Sequence, residues 1–156
     1  MYGVFADLHV PEPRANLGLL QFGAIGLGMG TALGASFADP DRPALLVCGD
    51  GGFMLGGLAD FNTAVRHHAD VVVVVMNDGA YGAEHIHFRQ LDLDPAISTF
   101  QWPDFATVAE ALGGRGYTVR SRADLEHVLR AVTERDRPVL IDVKLDPDAV
   151  AGARSH

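Results

Sequence analysis

Residues 71–76 read Val-Val-Val-Val-Val-Met, an apolar run without a polar position. β-Branched side chains are stiff at χ1 and favour extended backbone. A strand with no polar alternation has both faces covered, which is the environment of a parallel sheet flanked by helices. A second short apolar run, residues 44–48, lies between Pro43 and Gly49 and predicts another buried strand. Parallel neighbours cannot be joined by a tight turn, so crossover helices must separate them. Suitable segments exist. Residues 53–68 have helical spacing, and residues 80–90 are compatible with a helix. Residues 105–112 are helical and are stopped by Gly113-Gly114. Residues 123–134 place Leu125, Val128, Leu129 and Val132 on one helix face. Residues 116–120 are a weak strand, and residues 139–145 a last apolar one. The expected fold is α/β, an open, mostly parallel sheet with helices on both faces. The 156 residues suit one domain: a lead-in at 1–22 with Pro11 and Pro13, the domain at 23–148 and a tail at 149–156. No internal repeat or low-complexity segment is present.

Residues 23–38 are rich in glycine and alanine. Glycine inside a helix costs about 1 kcal/mol against alanine, so such a segment implies close approach of something to its backbone. Its end, residues 31–38, reads as a buried helix and its start as a loop.

The formal net charge of −8 comes from 12 basic and 20 acidic residues. A field of that sign disfavours nucleic acid and anionic lipid as partners, but leaves room for an anionic ligand held locally by a metal. The single cysteine, Cys48, excludes a disulfide within the chain, suits a reducing compartment and reads as a small buried hydrophobe. The first residues lack a basic region followed by an apolar run. Residues 71–76 are too few to cross a bilayer. A cytoplasmic protein with no membrane partner is expected.

In open parallel sheets, ligands sit beyond the carboxyl ends of the strands. Two such ends carry unusual residues here: Gly49-Asp50-Gly51-Gly52-Phe53, and Asn77-Asp78-Gly79-Ala80-Tyr81-Gly82. Each places a carboxylate in a glycine-rich turn between a buried strand and a helix. If the strands are neighbours, Asp50 and Asp78 converge. Two carboxylates, a carbonyl and a ligand phosphate make an oxygen cage suited to magnesium. Glycines admit the phosphates, and helix N-termini supply N–H donors. Either turn alone is an ordinary turn sequence; the pair is the signal. A dinucleotide-binding domain would instead want Gly-x-Gly-x-x-Gly after its first strand, whereas the glycines at 23–28 precede the first clear strand. His67-His68 and His85-x-His87 point to different helix faces and make poor chelates. Trp102-Pro103 reads as an element boundary rather than a recognition site.

With these motifs in place, the chain resembles the C-terminal, diphosphate-binding domain of thiamine diphosphate-dependent enzymes of the acetolactate synthase, benzoylformate decarboxylase and pyruvate decarboxylase family. The family motif is Gly-Asp-Gly, some two dozen residues, then Asn-Asn. Here it reads Gly49-Asp50-Gly51, twenty-five residues, then Asn77-Asp78. The segments 103–113 and 138–143 match as well. The resemblance implies a thiamine diphosphate-binding fold with thiamine diphosphate and Mg2+ as cofactors. It implies metal binding by Asp50, by Asp78 where the family has asparagine, and by the main-chain carbonyl of Ala80. The segment 54–59 is one residue longer than usual, which leaves Asn77 as an alternative ligand; the match from Asp60 onward favours Asp78.

The resemblance further implies that Gly23 accepts a hydrogen bond from the 4′-amino group and that Ile25 holds the cofactor bent. Gly51, Gly52, Phe53, Asn77, Gly79, Tyr81 and Gly82 line the diphosphate. Glu84 is the candidate catalytic residue, facing a small 2-oxo acid substrate. The family's activating glutamate lies in a pyrimidine-binding domain that this chain does not resemble. The chain is therefore expected to be part of an enzyme, inactive alone, partnered by that domain or subunit and homo-oligomeric. The competing expectation is a non-catalytic assembly or regulatory module that keeps the fold.

Overall fold

The computed structural model describes residues 24–149. In chain order the elements are α1 (Gly28–Ala38) and β1 (Ala44–Gly49), then a helix in three parts, here α2. Its parts are Asp50–Gly52, a π turn at Phe53–Gly57, and Leu58–Arg66. Then follow β2 (Val71–Asn77), α3 (Gly82–Gln90), a 3-10 turn (Pro95–Ser98), α4 (Phe105–Ala111), β3 (Arg115–Val119), α5 (Arg122–Thr133) and β4 (Val139–Lys144). The four strands form one sheet in the order β1-β2-β4-β3, every pairing parallel. The expected α/β class and parallel sheet are therefore observed.

The valine run divides by strand periodicity. Val71, Val73 and Val75 face a core built with Met29 and Leu33 of α1, Phe53, Phe61 and Ala64 of α2, and Phe105 and Ala109 of α4. Val72 faces the other side, in a smaller core with Val119, Val139, Ile141 and Val128 of α5. Helices thus lie on both faces, unequally. Of the four apolar residues expected to line α5, only Val128 is buried, and Leu129 is exposed. β1 departs from the expected fully buried strand: Leu45 is 58% exposed.

Register aligns the ends of three strands. Gly49 sits opposite Met76 and Asn77 opposite Lys144. Asp50 and Asp78, each one residue past its strand, therefore emerge side by side.

A buried carboxylate ties this edge together. Asp142 on β4 is wholly buried. It accepts hydrogen bonds from Asn77 Nδ2 at 2.9 Å, the Phe105 backbone N–H at 3.1 Å and Lys144 Nζ at 2.6 Å. Phe105 opens α4, so Asp142 satisfies an N–H that no helical carbonyl can reach. Asp104 caps the same helix by accepting from the Thr107 N–H at 2.9 Å.

Several boundaries differ from expectation. α1 starts at Gly28 rather than Thr31, and glycine at its first position lets the helix pack on β1: a Cβ on Gly28 would stand 2.8 Å from Leu46. α2 starts at Asp50 and ends at Arg66. α3 begins at Gly82, since Ala80 is held in an antiparallel bridge with Thr99. The 3-10 turn at Pro95–Ser98, capped by Asp94, was not anticipated. Gly23, the lead-in and all but the first residue of the tail lie outside the described residues.

Candidate functional site

Asp50 is the first residue of α2, at the end of β1, and only 2% exposed. Burying a carboxylate is costly unless donors replace its water. Three do so. Oδ1 accepts from the Gly51 N–H at 2.8 Å, and Oδ2 accepts from the Gly79 N–H at 2.9 Å and Trp102 Nε1 at 2.7 Å. Asp50 thereby joins β1, the turn after β2 and the loop before α4.

The turn after β2 separates its two polar residues. Asn77 is buried, its amide donating to Asp142 and its Oδ1 accepting from the Gly79 N–H at 3.2 Å. That side chain is committed to the sheet interior. Asp78 is partly exposed, and its Oδ1 accepts from the Ala80 N–H at 3.1 Å. Burial raises the Asp78 carboxyl above its ordinary value, and the neighbouring Asp50 charge raises it further. Gly79 takes φ +68°, which glycine adopts without strain. The Ala80–Thr99 bridge is closed by Tyr81 N–H to Ser98 O at 2.8 Å and Phe100 N–H to Gly79 O at 2.7 Å. Among the described residues no donor reaches the Ala80 carbonyl. Two neighbouring carboxylates, with a carbonyl in the same turn that no described donor reaches, stand at one edge, and they are hard oxygen groups of the kind magnesium takes.

Bare backbone surrounds this set. A Cβ on Gly82 would stand 2.5 Å from Asp78 Oδ2, and one on Gly51 would overlap the Tyr81 ring. A Cβ on Gly52 would stand 3.3 Å from Ile25 Cγ2. Ile25 itself is 64% exposed. Its loop turns at Gly26, φ +95°, whose carbonyl packs directly on Gly56 in the π turn. The Phe53 ring is buried against Phe105, centroids 5.4 Å apart, which leaves its backbone for a ligand.

The segment 54–59 contains a π turn, Phe53–Gly57, whose i→i+5 geometry holds one residue more than an α turn, and regular helix resumes at Leu58. With Asn77 turned to Asp142, it is Asp78 that stands near Asp50.

Glu84 is exposed on the first turn of α3, and no described residue pairs with it. His85 is buried on the same helix, its Nε2 2.9 Å from Asp148 Oδ1. Arg89 also pairs with Asp148. His85 first, then Arg89, holds the Asp148 carboxyl below its usual range. His87 is exposed, and His67 meets the Phe37 ring edge-on. Sequence reasoning missed Trp102. It does stand at the entry to α4, as a boundary residue would, but its indole also reaches Asp50. The available signal was that a partly buried indole N–H needs an acceptor.

Comparison with known proteins places these features in context. The family described as "Thiamine pyrophosphate enzyme, C-terminal TPP binding domain" matches residues 2–143. A 2-hydroxyacyl-CoA lyase of Oryza sativa subsp. japonica is 34% identical over 150 residues, 92% of this chain and 26% of that protein. An acetolactate synthase large subunit of Mycobacterium tuberculosis is 33% identical over 155 residues, 99% of this chain and 28% of that protein. Among solved structures, the thiamine diphosphate-dependent 4-hydroxybenzoylformate decarboxylase of Rhodococcus jostii RHA1 superposes with a TM-score of 0.71. It is 30% identical, the match covering 81% of this chain and 24% of that one. The chain spans about a quarter of the length of the relatives it matches. No helix among the described residues is long and apolar enough to cross a membrane.

Proposed function

The chain belongs to the thiamine pyrophosphate enzyme family as its C-terminal TPP-binding domain, and on that premise we propose that it holds the diphosphate of thiamine diphosphate through Mg2+ in an enzyme acting on 2-oxo acids. The observation that carries this is the juxtaposition of Asp50 and Asp78 beyond β1 and β2, with the Ala80 carbonyl, which accepts from no described donor, in the same turn. These donors fit the ion. Burial, and after it repulsion from Asp50, raises Asp78, and a divalent cation between the two carboxylates would offset the repulsive part. Gly52 and Gly82 leave backbone without a side chain for phosphate oxygens, while the N–H groups of Gly51 and Gly79 are held by Asp50 and Tyr81 closes over Gly51. The N-termini of α2 and α3 add N–H donors.

Bound thiamine diphosphate supplies the carbanion chemistry; the protein supplies position and electrostatics. Ile25, exposed beside Gly52, would support the bound cofactor. Gly23 lies outside the described residues, and the role the resemblance implies for it, accepting from the 4′-amino group, stays part of the proposal. Glu84, on the first turn of α3, is the candidate proton donor toward the substrate. Decarboxylation or carboligation needs a pyrimidine-binding domain or subunit to complete the site, and a two-fold assembly is its simplest form. Exposed Ile25, Leu27 and Leu55 support such a partner, since apolar side chains cluster where a second surface is to be covered.

The test is Asp50→Ala. Calorimetry on the complex with a pyrimidine-binding domain should register loss of Mg2+-dependent cofactor binding. Unchanged affinity would refute the metal assignment.

A further inference from the structure

Trp102 has no part in the scheme above, yet its indole makes the shortest hydrogen bond to the most buried carboxylate of the site, 2.7 Å from Nε1 to Asp50 Oδ2. Its orientation is set from two sides. The indole stacks on Phe100, centroids 4.5 Å apart and planes 15° from parallel. Phe100 is fixed in turn by its N–H bond to the Gly79 carbonyl and by contact with Tyr81 at 4.6 Å. The indole also packs on the main core.

The consequence lies in how many acceptor positions Asp50 has left. A carboxylate offers about two per oxygen. Gly79 N–H and Trp102 Nε1–H take both on Oδ2, while Gly51 N–H takes one on Oδ1. One position remains, on Oδ1. Without the indole each oxygen has one open position, and the group is free to present either or both.

We propose that Trp102 is a positioning residue for the metal: its N–H saturates Oδ2 of Asp50 and leaves Oδ1 as the single coordinating oxygen. This rests on the reading of Asp50 as a metal ligand. Partners of metal ligands characteristically orient the ligand and tune its affinity, and their removal weakens metal binding about 10–100-fold. Phe100 and Tyr81 belong to the same device, because their stack keeps the indole from swinging away.

The chain has one tryptophan, so its 1H–15N correlation spectrum contains a single indole resonance. The experiment titrates Mg2+ into the complex of the 15N-labelled chain with an unlabelled pyrimidine-binding domain and excess thiamine diphosphate, followed by that resonance and by calorimetry. The indole signal should move in step with calorimetric binding, and in Asp50→Asn it should already be displaced without metal. Trp102→Phe keeps the stack and removes the donor; it should stay folded by circular dichroism and bind Mg2+ at least about tenfold more weakly. Equal affinity in folded Trp102→Phe would overturn the proposal. So would an indole signal that stays still at saturating metal, a result that needs no variant to fold. If the parent complex binds no Mg2+ while Asp50→Asn still displaces the indole signal, the metal reading itself is at fault, and the positioning role falls with it.

Discussion

Replacing Asp142 by alanine should lower the stability of the chain by about 3–5 kcal/mol, the cost of breaking a buried ion pair from one side. The structure explains why the figure is large. Asp142 is wholly buried and serves three donors on three segments. Two of them, Asn77 Nδ2 and the Phe105 N–H, are themselves buried and would be stranded, at about 1–3 kcal/mol each. Lys144 is 23% exposed and lies 4.0 Å from Asp104, so its ammonium keeps water and a second carboxylate; its share is the smallest. For a chain of this size, 1 kcal/mol corresponds to about 2–4 °C in melting temperature, so a fall of roughly 6–20 °C is expected. Urea denaturation followed by circular dichroism, with thermal melts alongside, measures it. A loss below about 1 kcal/mol with an unchanged urea slope would refute the view that Asp142 fastens β2 and α4 to β4. The effect should also reach the site, because Asn77 shares the Gly79 N–H with Asp50.

Asp78→Asn keeps an oxygen ligand and should leave Mg2+-dependent activity of the completed enzyme within about tenfold, whereas Asp78→Ala should not; parental behaviour in both would point away from Asp78. Gly82→Ala places a methyl 2.5 Å from Asp78 Oδ2 and should weaken Mg2+ binding by calorimetry, while Gly34→Ala, where a Cβ meets nothing within 4 Å, should not. Burial first, and then the Asp50 charge, pushes the Cys48 thiol up to about 12; a thiol reagent at about pH 8 should label the native chain only as fast as it unfolds, and rapid labelling would contradict the buried placement. Asp148 is held low by His85 and Arg89, so its stabilising contact is present above its unfolded value and lost as pH falls through the folded one. The stability difference between the parent and Asp148→Asn should therefore shrink as pH drops below about 4, measured by urea titration at each pH; a constant difference would count against the ion pair.

Local chemistry made much of this protein legible from its amino-acid order. Val71–Asn77 can only be a covered strand, because β-branched side chains without polar alternation have nowhere else to go. Asp50 and Asp78 announced themselves as carboxylates in glycine turns just past buried strands, and parallel register then placed them together. Family membership was equally readable, since the motif and its spacing are local properties. The remaining features depend on partners far along the chain. Asn77 and Asp78 are equivalent as letters; only contact with Asp142, 65 residues away, commits Asn77 to the interior and leaves Asp78 for the site. The π turn at Phe53–Gly57 has no mark in the amino-acid order, since it packs on the Gly26 carbonyl some thirty residues earlier. Trp102 looked like punctuation because its acceptor lies 52 residues earlier. Hydrogen-bond satisfaction inside a fold is a question of which groups lose water together, and that is decided when sheet and helices close, not along the chain.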